Sequence, residues 1–176
     1  MLKIIVTALL IAVVVVLALA FQKPDEFHVS RSIVMNVPAA SVFEQVNDPR
    51  KANAWMPWLK ADPNAKVIYE GPATGNGASS YWNGNKNIGE GRMTIIESRP
   101  NELVRTKLEF LKPFKAVNTG EFLLTQESGQ TKMTWSIHGK NTLLSKVMSV
   151  FMSCDKMIGS QFEKGLADLK TMLEEA

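Results

Sequence analysis

The first twenty residues are almost uniformly apolar, and regular alternation of apolar and polar residues begins only after them. Lys3 and Thr7 are the only polar residues between Met1 and Ala20. As a helix, residues 4–21 span about 27 Å, close to the hydrocarbon core of a bilayer at about 30 Å. We therefore divide the chain into an apolar segment, residues 1–22, and a folded domain, residues 23–176.

Most of the domain alternates with a period of two, which is the pattern of half-buried β-strands. The first such segment covers residues 27–37, where Arg31 is the exception on the apolar side. Six more strands are predicted at residues 67–69, 79–83, 92–98, 103–111, 117–125 and 131–137. Glycine, proline and asparagine turns separate them, so the connections are short and the sheet is predicted to be an antiparallel meander.

Helical periodicity appears twice, before and after this run of strands. Two short helices are predicted after Pro38, with a break at Asp48 and Pro49, followed by a loop that carries Trp55 and Trp58. A long helix is predicted over residues 153–174, with one apolar stripe formed by Ile158, Phe162, Leu166, Leu169 and Leu173. Such a helix covers the apolar face of one twisted sheet, so the predicted fold class is α+β.

Several stretches resemble the START-like (SRPBCC) superfamily, and within it the polyketide cyclase/dehydrase-like branch that often bears an N-terminal membrane segment. They are residues 27–33 with Pro38, 55–58, 62–63, 81–85, 89–95, 155–159 and 162–166. Together they cover nearly all of residues 27–173. The resemblance implies a helix-grip fold, in which a curved antiparallel sheet wraps round the C-terminal helix and leaves a hydrophobic cavity between them.

Composition excludes several classes of protein. The net charge is +3, and the basic residues are scattered rather than clustered, which argues against nucleic-acid binding. Cys154 is the only cysteine and there are two histidines, so an internal disulfide, a zinc site and a c-type haem are not expected. We predict no cofactor and no metal.

The apolar segment has two interpretations. As an uncleaved anchor it crosses the membrane through residues 4–21; as a signal peptide it is removed after Ala20, where small residues fit a cleavage site. In both cases Lys3 precedes the segment, whereas Lys23, Asp25 and Glu26 follow it with a net negative charge. The positive-inside rule then predicts an exported domain, either membrane-anchored or secreted.

Large apolar side chains are the candidate ligand-binding residues. Indoles and thioethers suit an apolar cavity, and the same side chains also fill protein cores. The candidates are Trp55, Trp58, Trp82, Met148, Phe151, Met152 and Phe162. Trp135 lies in phase with its strand's apolar residues and is predicted to belong to the core.

Two carboxylates are the candidate catalytic residues. Asp155 shares a helix face with Ile158 and Phe162, and burial there would raise its pKa as a general acid or base requires. The alternative is that Ser153 or Asp155 caps the helix. Glu90, with Arg92, either presents charge to a polar head group or lies at a solvated hairpin edge.

Three functions follow from these observations. The first is a membrane-tethered module that binds a hydrophobic small molecule or lipid between the sheet and the last helix. The second is a polyketide cyclase/dehydrase-like enzyme that uses a cavity carboxylate. The third is a stress or interaction accessory protein whose interior holds no ligand.

Overall fold

The computed structural model describes residues 1–175 and contains one apolar helix followed by a domain of seven strands and five helices. The helices are α1 (Leu2–Phe21), α2 (Ala39–Val46), α3 (Pro49–Trp55), α4 (Pro57–Lys60), α5 (Leu143–Phe151) and α6 (Cys154–Glu174). The strands are β1 (Glu26–Met35), β2 (Lys66–Glu70), β3 (Ser79–Asn83), β4 (Glu90–Arg99), β5 (Leu103–Lys112), β6 (Ala116–Glu127) and β7 (Gln130–Lys140).

All seven strands form one antiparallel sheet, in the order β1-β7-β6-β5-β4-β3-β2. Strands β2 to β7 pair with their neighbours in the chain, and β1 closes the order beside β7. The alternation of residue types sets which side faces the core, as in β7, where Met133, Trp135 and Ile137 are buried. The predicted α+β helix-grip fold is confirmed.

Helix α6 packs across the sheet through the predicted stripe. Phe162, Leu166 and Leu169 are almost completely buried, and Ile158 and Leu173 at the ends of the stripe pack against the same core. Gly165, one of two glycines in this helix, admits a close neighbour, because an added Cβ there would lie 2.9 Å from the indole of Trp135. The helix therefore approaches the sheet closely at its middle.

Arg31, the charged exception on the apolar side of β1, is explained by α6. Its guanidinium crosses the helix at Gly159, where a side chain would collide with it. It donates hydrogen bonds to both carboxylate oxygens of Asp155 at 3.0 Å and to Glu163 at 2.6 Å. These two acidic residues lie one turn before and one turn after the glycine, so Arg31 fastens the edge strand to the helix.

Three short helices lie between β1 and β2, where the sequence predicted two and a loop. Pro49 and Pro57 each occupy the first turn of a helix, and Asp48 caps α3 by accepting from the amide of Arg50 at 2.8 Å. Proline suits this position because it has no amide hydrogen to satisfy and its φ is already helical. The predicted loop is therefore wrong: Trp55 ends α3, and Trp58 lies in α4.

The apolar helix α1 packs against α5. Its residues 3–21 have a mean hydropathy of 3.3 and are long enough to cross a membrane. Ala20, near its C-terminal end, is fully buried. Beyond it, Lys146 of α5 forms an ion pair with Asp25 at 2.5 Å, which ties α5 to the connection between α1 and β1.

Candidate ligand-binding cavity

A cavity of about 180 Å³ lies between the sheet, the short helices α3 and α4, and the N-terminal half of α6. Five strands, β3 to β7, contribute to it. Its lining residues are Asn53, Met56, Trp58, Leu59, Ser80, Trp82, Ile88, Met93, Thr106, Leu108, Phe110, Asn118, Gly120, Phe122, Trp135, Ile137, Ile158 and Phe162. Most of these side chains are apolar, so the interior favours an apolar guest over water.

Aromatic rings form the wall on the helix side. Trp135 stacks on Phe162, with ring centroids 4.1 Å apart and planes inclined by 10°. Trp58 meets both rings edge to face, at 5.3 Å and 5.9 Å. Such contacts hold large rigid surfaces in place, since aromatic pairs add about 0.5–1.5 kcal/mol to the free energy of burial.

Trp82 forms part of the opposite wall, and its ring packs directly against the backbone of a glycine on the neighbouring strand. An added Cβ at Gly91, on the neighbouring strand, would collide with the Trp82 ring. The Trp82 indole donates a hydrogen bond to the carbonyl of Ile88 at 3.1 Å, and its ring meets Phe110 edge to face. The only polar atom of this side chain is thus satisfied by backbone, so the part of the ring that lines the cavity offers an apolar surface.

The polar groups of the cavity are neutral. They come from Asn53, Ser80, Thr106 and Asn118; Thr106 donates to the carbonyl of Gly120 at 3.3 Å, and Asn53 donates to the Tyr69 hydroxyl at 3.2 Å. None of the lining residues carries an ionisable side chain. The cavity can therefore orient a ligand through hydroxyl and amide groups, while its own lining supplies no acid or base.

Comparison with known proteins places this arrangement in a family. The family model described as polyketide cyclase / dehydrase and lipid transport matches residues 26–174, which is most of the chain. The chain belongs to this family. The START-like resemblance of the sequence is thereby confirmed. Among curated proteins, none matches the chain in sequence.

Solved structures share the fold at low sequence identity. Protein CV1439 from Chromobacterium violaceum has a TM-score of 0.58 at 14% identity, covering 86% of this chain and 99% of that one. The di-domain ARO/CYC StfQ of the steffimycin biosynthetic pathway has a TM-score of 0.60 at 11% identity, covering 85% of this chain and 51% of that one. The Aha1 dimer from Colwellia psychrerythraea has a TM-score of 0.57 at 15% identity, covering 84% and 96%. At these identities the likeness concerns the fold alone.

In this member of the family, three of the candidate binding residues line the cavity. They are Trp58, Trp82 and Phe162. Trp55 does not, because it lies behind the wall, 1% exposed, edge to face with Trp135 at 5.3 Å. Its indole N–H has no hydrogen-bond partner within the described residues. Trp135 is buried as core, as predicted, and one side of it also faces the cavity.

The remaining candidates, Met148, Phe151 and Met152, do not lie on the cavity. They are 52%, 71% and 51% exposed and belong to α5 and the residue after it. The predicted position is wrong because α5 is oriented with Lys146 on its inner side, where that side chain is 11% exposed and paired with Asp25. The apolar stripe of this helix therefore faces outward.

Asp155 also lies outside the cavity, on the surface where α6 meets β1. Its hydrogen bonds to the Arg31 guanidinium hold its pKa below the usual range, with the charge of Arg31 adding to the effect. The prediction of a raised pKa is therefore wrong. The N-terminal cap of α6 is Ser153, whose hydroxyl accepts a hydrogen bond from the amide of Lys156 at 3.2 Å. Of the two predicted capping residues, Ser153 and Asp155, the cap is therefore Ser153.

Glu90 lies at the start of β4, where it accepts a hydrogen bond from the Tyr81 hydroxyl at 2.7 Å and pairs with Lys112 at 2.6 Å. The hydrogen bond from Lys112 is the main reason that the pKa of Glu90 is lowered, and the bond from Tyr81 adds to it. Arg92 pairs instead with Glu70 of β2. The two residues thus form separate cross-strand ion pairs rather than a pair with each other.

His28 and His138 face each other across β1 and β7, with ring centroids 6.3 Å apart. Both are on the polar phase of their strands and neither lines the cavity. The Cys154 thiol is half-buried, and that burial raises its pKa, which disfavours the reactive thiolate. Within residues 1–175, no group of three or more His, Cys, Asp and Glu side chains is arranged to hold a metal ion.

Sequence reasoning missed most of the strand residues that line the cavity. Thr106, Leu108 and Phe110 share one phase of β5, and Asn118 and Gly120 share one phase of β6. The alternation identifies the inward side of each strand, so these residues could have been predicted to face inward. What the pattern lacks is the distinction between inward residues that touch α6 and those that face an empty space.

Proposed function

We propose that this protein is a membrane-tethered binding module that holds a hydrophobic small molecule, or part of a lipid, in the cavity between the sheet and α6. The observation that carries the proposal is a lined, apolar space with neutral polar groups. An engineered apolar cavity of about 150 Å³ in another protein takes up benzene, so a cavity of this size accommodates one ring or a short alkyl segment. Burial of about 150 Å² of ligand surface would contribute about 4 kcal/mol.

The tether is supported by α1 and by the charges around it. Its 20 residues span about 30 Å as a helix, the thickness of a hydrocarbon core. Lys3 precedes it, and the residues after it carry net negative charge, which favours a cytoplasmic N-terminus and an exported domain. Secretion after cleavage at Ala20 is the alternative, and the mass of the mature protein distinguishes the two.

An enzyme of the cyclase/dehydrase kind is the weaker candidate, because such chemistry needs a group that moves protons at the substrate. Both candidate carboxylates, Asp155 and Glu90, are paired with cations outside the cavity. An accessory protein with an empty interior is the third candidate, and the binding experiment below separates it from the first.

The experiment is native mass spectrometry of the full-length chain, purified in detergent from its host, with and without added octanol. We expect an apolar adduct, or an octanol complex, at one molecule per chain. Ser80→Leu fills the cavity from β3 and should abolish both, whereas Thr125→Leu introduces leucine at an exposed position of β6 and should leave both intact. A wild-type chain that retains no adduct and binds no octanol refutes the proposal.

A further inference from the structure

Several strongly exposed apolar side chains lie at one end of the sheet, which we call the anchor end. Here β1 begins and β7 ends, since Glu26 pairs with Lys140. The turn between β5 and β6, residues 113–115, belongs to the same end, because Gly139 of β7 pairs with Asn118 near the start of β6. Helix α1 leads into this end of the sheet, and α5 follows from it.

The anchor end carries several large apolar side chains that are about half exposed or more. In α5, Leu144, Met148 and Phe151 recur at helical spacing and are 45%, 52% and 71% exposed. In the β5–β6 turn, Phe114 is 64% exposed, and Val117 beside it is 59% exposed. A helix of this kind, with a continuous apolar side and no buried residue, is typical of helices that lie in a membrane interface.

The position of α1 indicates what covers this surface. Helix α5 packs against α1, the one helix of the described chain that is long and apolar enough to cross a membrane. When α1 crosses the bilayer, α5 lies where its last turns leave the hydrocarbon layer. Lys115, exposed next to Phe114, suits the head-group layer, where lysine keeps its ammonium in water while its stem contacts lipid.

The cavity becomes more accessible toward the same end. Along β5 and β6, the lining changes from fully buried Thr106 and Phe122 to partly exposed Phe110 and Asn118. Ile158, in the first turns of α6, is also partly exposed and completes this rim. The more exposed part of the lining thus lies toward the anchor end of the sheet.

This inference rests on the proposed function: we infer that the anchor end, with α5 and the β5–β6 turn, lies in the interfacial layer of the bilayer that α1 crosses. In that position the cavity opens onto lipid and exchanges its ligand with the membrane. The occupant of this apolar surface is therefore the lipid bilayer itself. A ligand of low solubility then enters the protein without crossing water.

The test measures contact with acyl chains. The full-length chain carrying Cys154→Ser receives a single cysteine by Phe114→Cys, Phe151→Cys or Val34→Cys, is labelled with bimane and is placed at one chain per nanodisc of phosphatidylcholine. Val34 is the matched control, 44% exposed on the same sheet but eight residues, or about 26 Å, along β1 from Glu26. Doxyl groups on the acyl chains quench only nearby fluorophores.

We expect the labels at positions 114 and 151 to lose at least about half of their fluorescence in doxyl-containing discs, and the label at position 34 to lose none. Equal, low quenching at all three positions overturns the inference, whether the surface is then bare or covered by a second copy. Octanol binding in detergent is measured on the same labelled chains. Because it does not depend on bilayer contact, binding without quenching refutes the membrane inference and leaves the proposed function standing.

Discussion

Removal of the Phe162 ring is the most informative single change, because this side chain belongs both to the core and to the cavity wall. It is 1% exposed and stacks on Trp135 at 4.1 Å. Phe162→Ala therefore removes packed surface and enlarges the space available to a ligand. A residue with only one of these roles would change only one of the two measurements.

The expected loss of stability follows from the volume and the surface removed. The ring occupies about 100 Å³, and at about 24 cal/mol per Å³ the resulting void costs about 2.4 kcal/mol. The lost burial of apolar surface adds about 2 kcal/mol. The free energy of unfolding should thus fall by about 4 kcal/mol, and bulkier alcohols should bind, because the void joins the existing cavity.

Urea unfolding of the full-length chain in detergent, followed by tryptophan fluorescence, measures the first effect. Native mass spectrometry with octanol and cyclododecanol measures the second. The matched control is Leu169→Ala, on the same helix and 0% exposed but not on the cavity; it should cost about 2–5 kcal/mol and leave the preference between the two alcohols unchanged. A loss below about 1 kcal/mol in Phe162→Ala, with unchanged alcohol preference, would refute the assignment of this residue to both core and wall.

Three further outcomes are expected. Arg31 lowers the folded-state pKa of Asp155 below 3.8, so the ion pair stabilises the protein above that pH, and this stabilisation is lost as the pH falls through the folded-state pKa. The free energy of unfolding should therefore fall more on acidification in the wild type than in Asp155→Asn. Equal losses would contradict the pairing. Gly91→Ala should displace Trp82 and shift the tryptophan emission, and it should lower the free energy of unfolding by about 1–3 kcal/mol, measured from unfolding curves. Unchanged emission would contradict the close contact between Gly91 and Trp82. The intact mass of the mature protein should include residues 1–20, and a chain beginning after Ala20 would exclude the anchor.

The strands could be predicted because their side chains alternate between a buried and an exposed side. The predicted strand 79–83 matches β3, and most of the other predicted strands differ from the structure by one to three residues at each end. The stripe of α6 was equally predictable, since its four intervals of 4, 4, 3 and 4 residues follow from helical geometry alone. In both cases the pattern within one element is sufficient, because period and burial are set locally.

Orientation of an element against its neighbours was not predictable in the same way. Met148 and Phe151 have helical spacing, but the sequence does not say what their side of the helix faces. The pairing of Lys146 with Asp25, 121 residues earlier, decides it. For Arg31 the sequence does indicate an orientation, because a charge on the buried side of a strand needs a partner on another element. The structure places its partners, Asp155 and Glu163, on α6.

The distribution of charge limits what the cavity can hold. Arg31, Glu90 and Arg105 all form ion pairs outside it, and the lining contributes amide and hydroxyl groups only. A charged group moved inside would lose its hydration and find no counter-ion, at a cost of several kcal/mol. A neutral group finds hydrogen-bonding side chains in Thr106 and Asn118 without that cost. A ligand in this cavity would therefore bury a neutral part, and an ionised group would remain outside the lining.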